Sequence, residues 1–270
     1  MSERIRIPPM GLGTYGRTGD AGAEAILAAL EIGYRHLDTA QSYDTERPVG
    51  RALRRSGLKR DEVFLTTKVN TTNLSRDRFL PSVRASLEAL QTDRIDLLLI
   101  HWPSPGDAVP FADYVTALAE ARDRGMARLI GVSNFPVALV ERARALIGAD
   151  AIATNQVEVH PFLQNRALRD HCAAAGIAVT AYMPLAKGTV ADDPVLQGIA
   201  RRHGAEPGQV ALAFLLRLGL IVIPASARPE RMRSNFAATA LALDDAETAA
   251  IAGLDRGGRM IDPEWGPAWD

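Results

Sequence analysis

Residues 111–133, FADYVTALAEARDRGMARLIGVS, hold one complete structural unit. Tyr114 and Leu118 fall one helical turn apart, so the first half reads as an amphipathic helix. Gly125 then stops it, because a residue without Cβ enters the left-handed conformation at little cost. Residues 127–133 are short and mostly apolar, as a strand covered on both faces should be. The same order recurs in both directions. Helical pairs are Ile26 with Leu30, Val49 with Leu53 and Val83 with Leu87, and Ser75 stands where an N-cap would start the third helix. Stopping glycines are Gly33, Gly57, Gly125, Gly148, Gly176 and Gly219. The strands read YRHLD, EVFLTTK, IDLLLIH, ARLIGVS, AIATNQV, IAVTAY and LIVIPA, preceded by the stretch that ends in GLG. Strand–helix alternation implies parallel strands with crossovers, and eight units in about 250 residues is the size of a (β/α)8 TIM barrel. No linker or low-complexity run breaks the alternation, so residues 1–270 are expected to form a single α/β domain.

Composition narrows the function. The chain carries 31 basic and 32 acidic residues, a net charge of −1, which argues against a nucleic-acid binder working through a basic surface. Cys172 is the one cysteine, so internal disulfides and cysteine-built zinc sites are excluded. The most apolar stretch, residues 211–224, is too short to span a membrane and carries Arg217. The start, MSERIRIPPM, has charge but no apolar export segment, so a cytoplasmic location is expected. Only Lys59, Lys68 and Lys187 are lysines, against 28 arginines.

In a barrel, chemistry sits at the C-terminal ends of the strands. Those ends are polar here although the strands are not: Gly13-Thr14, Asp38-Thr39, Thr67-Lys68, His101-Trp102, Ser133-Asn134, Asn155-Gln156, Tyr182 and Ala225-Ser226. Asp38, Lys68 and His101 close three successive strands, and Tyr43 follows Asp38 by one short loop, so the four can meet. Their chemistry suits carbonyl reduction. A tyrosine hydroxyl can protonate the carbonyl oxygen, a nearby cation lowers its high pKa, an aspartate holds that cation, and a histidine orients the oxygen. Arginine would replace Lys68 poorly, since its planar fork prefers bidentate partners. Taken singly, Asp38 could be a helix cap, Tyr43 packing and His101 a satisfied core histidine; their convergence is what favours chemistry. Trp102 reads equally as a pocket wall and as packing.

Gly11-Leu12-Gly13-Thr14-Tyr15-Gly16 is a literal GxGxxG, and Asp38 follows at the spacing of a dinucleotide fingerprint. Pro8 and Pro9 argue against that reading, because prolines do not sit in a central parallel strand. Under it Asp38 would bind a ribose; under the barrel reading it holds Lys68. A metal-dependent barrel hydrolase using His36, Asp38, His101 and His160 is a remoter alternative, since the first strand end offers no ligand. A cofactor-binding sensor or scaffold on the same fold is the non-enzyme alternative.

The pieces GLGTY, LDTAQSYDTERPVG, TTK, LLLIHWP, IGVSNF, NQVEVHPFLQN and AYMPLA resemble the aldo-keto reductases over essentially the whole chain. Within that family the short start, IHWPSP, IATNQ, Tyr182-Met183 and the closing PAWD look nearest to the bacterial 2,5-diketo-D-gluconate reductases, their B type above all. The resemblance implies a barrel that binds NADPH without a Rossmann domain, with Asp38, Tyr43, Lys68 and His101 as its catalytic tetrad. It implies that Tyr182 stacks on the nicotinamide and that Ser133, Asn134 and Gln156 hold its carboxamide. Gly13, Thr14 and Asp38 would adjoin the coenzyme, and Leu185 and Gly188 would lie along the pyrophosphate. Ser226 and Arg231 would bind the 2′-phosphate and Asn235 the adenine. Ala225 replaces the family's usual lysine and Ser234 a frequent glutamate, which leaves NADH open beside NADPH; Lys187 reads as a solvated surface lysine or a substitute cation. Tyr43, His101, Trp102 and Trp265 would line the substrate pocket, with the tail from about residue 256 to 270 over or near the barrel mouth. The implied activity is reduction of small aldehydes, α-keto aldehydes or keto-sugar acids by a monomer without metal. The short loop from Ser104 to Asp113 suits small polar substrates better than steroids.

Overall fold

The computed structural model describes residues 6–270; residues 1–5, the first part of the charged start, lie outside the described residues. Eight parallel strands follow one another in sheet order: β1 (Leu12–Gly13), β2 (His36–Asp38), β3 (Phe64–Val69), β4 (Ile95–Ile100), β5 (Ala127–Ser133), β6 (Ile152–Glu158), β7 (Ala178–Tyr182) and β8 (Ile221–Val222). The sheet closes on itself. Gly11 N donates to the Val222 carbonyl at 2.8 Å, Gly13 N to Pro224 at 3.1 Å and Val222 N to Pro9 at 2.8 Å. Pro8, Pro9 and Pro224 lack an N–H, so β1 and β8 stay short at this seam.

Helices α1 (Gly19–Ile32), α2 (Glu46–Arg55), α3 (Arg76–Leu90), α4 (Phe111–Asp123), α5 (Val137–Ile147) and α6 (Arg166–Ala174) each follow one strand. Two helices, α7 (Pro194–His203) and α8 (Pro207–Arg217), lie between β7 and β8, separated at left-handed Gly204. After β8 come α9 (Pro229–Ala237) and α10 (Asp245–Ala252). The alternation read from the sequence therefore holds, with an added helix before β8 and another in the tail. All six stopping glycines take positive φ, from 71° to 122°. Ser75 is the N-cap residue of α3, but its side chain makes no capping hydrogen bond.

Side-chain alternation along the strands separates two apolar regions. Leu65, Leu98 and Ile100 join the large core between sheet and helices, while Phe64, Leu97 and Leu99 form a small cluster of their own with Ile7, Leu129 and Ala153. On β3 the period of two puts Phe64, Thr66 and Lys68 on one face, so the lysine belongs to the barrel interior at its C-terminal end. On β2 the same rule aligns His36 with Asp38. His36 is buried, with its ring nitrogens at 3.2 Å from the Pro8 carbonyl and 3.0 Å from Thr66 Oγ1. Burial holds its pKa below the usual histidine value. It is a packing residue beneath the site.

Gly131 shows how tightly the interior closes. A Cβ there would stand 2.5 Å from the Thr154 carbonyl oxygen and 2.8 Å from Leu99 Cδ2. Gly131→Ala is therefore expected to cost about 1–3 kcal/mol by overpacking, read in thermal unfolding as a Tm lower by roughly 5 °C. An unchanged Tm would show that the barrel interior yields more easily than these distances allow.

Candidate active site

Lys68 is fully buried at the end of β3. Its Nζ donates to Asp38 Oδ1 at 2.5 Å and to the Thr39 carbonyl at 2.9 Å. The second carboxylate oxygen, Oδ2, accepts from Gln156 Nε2 at 2.7 Å. Tyr43 sits on a 3-10 turn, Gln41–Tyr43, that ends at Asp44 in the left-handed region (φ 55°). That turn lays the phenol over the lysine, whose Nζ lies 4.9 Å from the ring centroid. The Tyr43 hydroxyl is 3.3 Å from His101 Nε2. The four residues read from strand ends and loop spacing thus converge.

Their protonation follows from burial and charge. Burial works to lower the Lys68 pKa, but Asp38 and Tyr43 outweigh it and hold it above the ordinary value. Burial lifts the Tyr43 pKa, and Lys68 pulls against it without reversing it. From the sequence the cation is expected to lower the tyrosine pKa; in the folded chain burial outweighs Lys68 and the pKa stands above its ordinary value, so the phenol carries the proton it is to donate. Burial, then the Lys68 charge, pushes His101 down to about 3, so its imidazole is neutral. A neutral ring has one donor nitrogen and one acceptor. Ser42 Oγ lies 3.3 Å from Nδ1; a hydroxyl donating there leaves the proton on Nε2, aimed at the tyrosine side. Ser42 was not singled out in the sequence, where nothing but its place beside Tyr43 marks it.

The next strand ends form a connected second group. Ser133 Oγ donates to the Gln156 carbonyl at 2.8 Å. Asn134, left-handed at φ 62°, donates from Nδ2 to the His101 carbonyl at 3.0 Å and to Ser133 Oγ at 3.1 Å. The Tyr182 hydroxyl donates to Asn134 Oδ1 at 2.8 Å, and burial raises its pKa. Ser133, Asn134, Gln156 and Tyr182 are therefore brought together beside the tetrad. Thr14 is buried, and its hydroxyl donates to the Asp38 carbonyl at 3.0 Å and meets Thr45 Oγ1 at 3.0 Å. It braces the backbone that presents Asp38. Gly13 lets two strands approach, since a Cβ there would meet the Ile223 carbonyl at 2.8 Å.

Beyond β7, Leu185 precedes a loop in which Ala186, Lys187 and Gly188 all have positive φ. Beyond β8, Ser226 Oγ accepts from the Arg228 backbone N–H at 3.1 Å. Asn235 is buried on α9, and Arg228 and Arg231 are both exposed. Arg228 was missed in the sequence, where only its nearness to Ser226 pointed to it. Glu206, the N-cap of α8, accepts from Ser234 Oγ at 2.8 Å, so a carboxylate stands beside the position where the chain has serine. The set suits a dinucleotide phosphate: Arg228 and Arg231, whose side chains make no hydrogen bond or ion pair among the described residues, follow Ser226 within five positions, and the amide and phenol group lies at the tetrad.

The tail packs along the rim beyond β4, β5 and β6. Glu158 accepts from the Met260 and Ile261 backbone N–H groups, each at 2.8 Å, and from His160 Nε2 at 2.9 Å. Trp265 and Trp269 stand edge-on to Trp102 with centroids at 5.2 and 6.0 Å. The Asp270 carboxylate then accepts from the Val137 N–H that begins α5, at 3.0–3.1 Å. Trp102 therefore packs on the tail next to His101. The metal reading finds no support in this geometry: both ring nitrogens of His36 and of His160 face protein partners. No group of three or more His, Cys, Asp or Glu fit to hold a metal occurs among the described residues. No described helix is long and apolar enough to cross a membrane.

Comparison with known proteins identifies the family. The model of the Aldo/keto reductase family matches residues 9–256. Methylglyoxal reductase DkgB of Salmonella typhi is 49% identical over 267 residues, 98% of this chain and 100% of that protein. The protein of the same name from Escherichia coli O157:H7 is 46% identical over the same shares. A crystal structure assigned to a 2,5-diketo-D-gluconic acid reductase B superposes with a TM-score of 0.91 at 42% identity, covering 98% of this chain and 94% of that one. The Bombyx mori aldo-keto reductase in complex with NADP gives 0.88 at 34% identity, over 95% and 92%. The chain belongs to the aldo/keto reductase family and is an oxidoreductase that reduces carbonyl compounds to alcohols.

Proposed function

We propose that the enzyme uses NADPH to reduce small aldehydes, α-keto aldehydes such as methylglyoxal, and keto-sugar acids such as 2,5-diketo-D-gluconate. The convergence of Tyr43, Lys68, Asp38 and His101 carries the proposal. The coenzyme supplies the hydride. Tyr182 would back the nicotinamide, and Ser133, Asn134 and Gln156 would hold its carboxamide and so orient the ring. Tyr43 gives its proton to the carbonyl oxygen. Lys68 stabilises the phenolate that results, and Asp38 keeps the lysine charged and in place. His101 donates from Nε2 to the same oxygen and orients it. Trp102 and Trp265 wall the pocket. The names of the relatives support the two carbonyl classes, and the short connection between β4 and α4 favours small polar substrates.

The preference for NADPH rests on Ser226 and Arg231, with Arg228 replacing the cation that Ala225 lacks. Arginine suits a phosphate through charge-assisted hydrogen bonds. Arg231→Ala and Arg228→Ala are each expected to raise the NADPH KM at least about tenfold more than the NADH KM, the weight of one such contact. Equal effects on both coenzymes would remove the 2′-phosphate from the argument. The wider test is a kinetic panel of both coenzymes against 2,5-diketo-D-gluconate, methylglyoxal and benzaldehyde. More than about tenfold preference for NADH, a difference beyond 1.4 kcal/mol, would overturn the coenzyme choice. The proposal also takes the enzyme as a cytoplasmic monomer. Its exposed large apolar side chains among the described residues are Tyr15, Leu146 and Trp265, single residues of the kind monomers carry. Light scattering on the purified protein tests the oligomeric state, and cell fractionation tests the location.

A further inference from the structure

Gln156 stands in two groups at once. Its backbone carbonyl accepts from Ser133 Oγ and from Asn134 N, at 2.8 and 3.0 Å, while its side-chain Nε2 reaches Asp38 Oδ2 at 2.7 Å. Both side chains are buried, at 2% exposure each. A carboxylate only accepts hydrogen bonds, so the amide orientation is fixed by chemistry: the NH2 faces Asp38 and Oε1 is the end left for another donor. The carboxylate is thereby held at both oxygens, Oδ1 by Lys68 and Oδ2 by Gln156. With one oxygen released, it could rotate about its bond to the lysine, and a buried charged acceptor would be left unpaired.

We propose that Gln156 is a positioning residue that couples coenzyme to proton donor: Oε1 accepts from the nicotinamide carboxamide while Nε2 locks Asp38, and through it Lys68, beneath Tyr43. The inference rests on the tetrad reading above. It makes a bound nicotinamide and a correctly held lysine parts of one hydrogen-bonded chain, in which every donor points toward Asp38.

Two substitutions test it, read as kcat for benzaldehyde reduction at saturating NADPH between pH 5 and 9 and as the Tm of the coenzyme-free proteins over the same range. For Gln156→Glu that Tm should fall as pH rises, because the two carboxylates then face each other. Gln156→Met removes both ends of the amide at similar volume, and kcat is expected to fall by about tenfold or more, the effect of one lost charge-assisted contact. Gln156→Glu is the sharper probe. Protonated, the introduced carboxyl donates to Asp38 as the amide does; ionised, it cannot donate and repels the aspartate. Two buried carboxylates in contact raise one pKa into the assay range. The rate of Gln156→Glu should therefore fall as pH rises, along a limb that wild type and Gln156→Met lack. The charged and titratable groups that interact with Asp38 and Lys68 are Tyr43, His36, His101 and Glu46, with Asp96 and Tyr15 behind them, all present in each protein, so the limb belongs to residue 156. If Gln156 served the coenzyme alone, an ionised oxygen would accept from the carboxamide at least as well. A flat or rising profile, with only the NADPH KM changed, overturns the inference. Should Gln156→Met unfold, Gln156→Glu compared at pH 5 and pH 8 decides by itself. Failure of the underlying reading looks different: full turnover by Tyr43→Phe would remove the tetrad, whereas a dead Tyr43→Phe with a flat Gln156→Glu profile removes only the coupling.

Discussion

Tyr43→Phe is expected to reduce aldehydes roughly 10²–10⁴-fold more slowly than the wild type, the usual contribution of a positioned general acid. NADPH affinity, measured by fluorescence titration, should change little. Two groups face the place where a carbonyl oxygen would sit, Tyr43 and His101, and their pKa values decide between them. His101 is held near 3 by burial and by Lys68, so at pH 7 its ring is neutral. Its neutral ring can donate a hydrogen bond but cannot deliver a proton efficiently. Tyr43 is held above its usual value by burial, against the pull of Lys68, so it is protonated throughout the neutral range. The ring of Tyr43 also packs edge-on against Tyr15 and His101, with centroids at 5.2 and 5.3 Å, and phenylalanine preserves both contacts. Loss of rate would therefore report the hydroxyl and not the fold.

The pH profile follows with its sign. Reduction needs the protonated phenol, so the rate should hold from about pH 5 through the neutral range and fall only as Tyr43 ionises, above its ordinary value of about 10. Stability has an acid limb of its own. His101 binds its proton less well folded than unfolded, so the unfolded chain takes up protons first and stability declines as pH falls from about 6.5 toward 3. A single ionisation that switches off kcat between pH 5 and 8 would instead make an imidazolium the donor.

The parts of this site that could be read in the sequence are those fixed by period and position. Strand ends are marked by the change from apolar to polar residues, so Asp38, Lys68 and His101 could be placed on the rim, and Tyr43 followed from a loop too short to carry it elsewhere. What could not be read depends on distances across the closed barrel. Gln156 lies 118 residues from Asp38, and no local pattern joins them. Glu158 and His160 sit within the quoted NQVEVHPFLQN, yet their service as an anchor for Met260 and Ile261 appears only when the tail is in place. Lys68 acts on the Tyr43 pKa in the expected direction, but burial of the ring opposes and outweighs it, and burial is a property of the folded chain. Arg228 needed the turn after β8, which puts its backbone on Ser226.

Asp38→Asn should produce two separable losses. Lys68 has no solvent contact, and Asp38 is the acidic side chain on it within hydrogen-bond distance. Removing one partner of a buried pair typically costs about 3–5 kcal/mol, which in a chain of this size lowers Tm by roughly 10 °C. Asparagine can still accept from Lys68 through its one oxygen, but its NH2 then faces Gln156, whose amide has to turn over and spend Oε1 as the acceptor. The lysine, no longer held charged, gives up its proton more readily, and Tyr43 loses the cation that would stabilise its phenolate. Turnover should fall by about 10²-fold or more, since a one-unit pKa change is already 1.36 kcal/mol. A dinucleotide fingerprint makes the opposite forecast, a loss mainly of coenzyme affinity with turnover intact at saturation. Linkage adds a check on the pair itself. The folded pKa of Lys68 stands above its unfolded value, so the stabilisation is whole below about pH 10.4 and fades as pH rises through the folded value. The double variant Asp38→Leu with Lys68→Met removes both charges at similar volume. It is expected to recover most of the stability lost in Asp38→Asn, because a buried ion pair replaced by apolar side chains is often neutral, and to remain inactive. A double variant that regained turnover along with its Tm would show that the buried pair serves the fold alone.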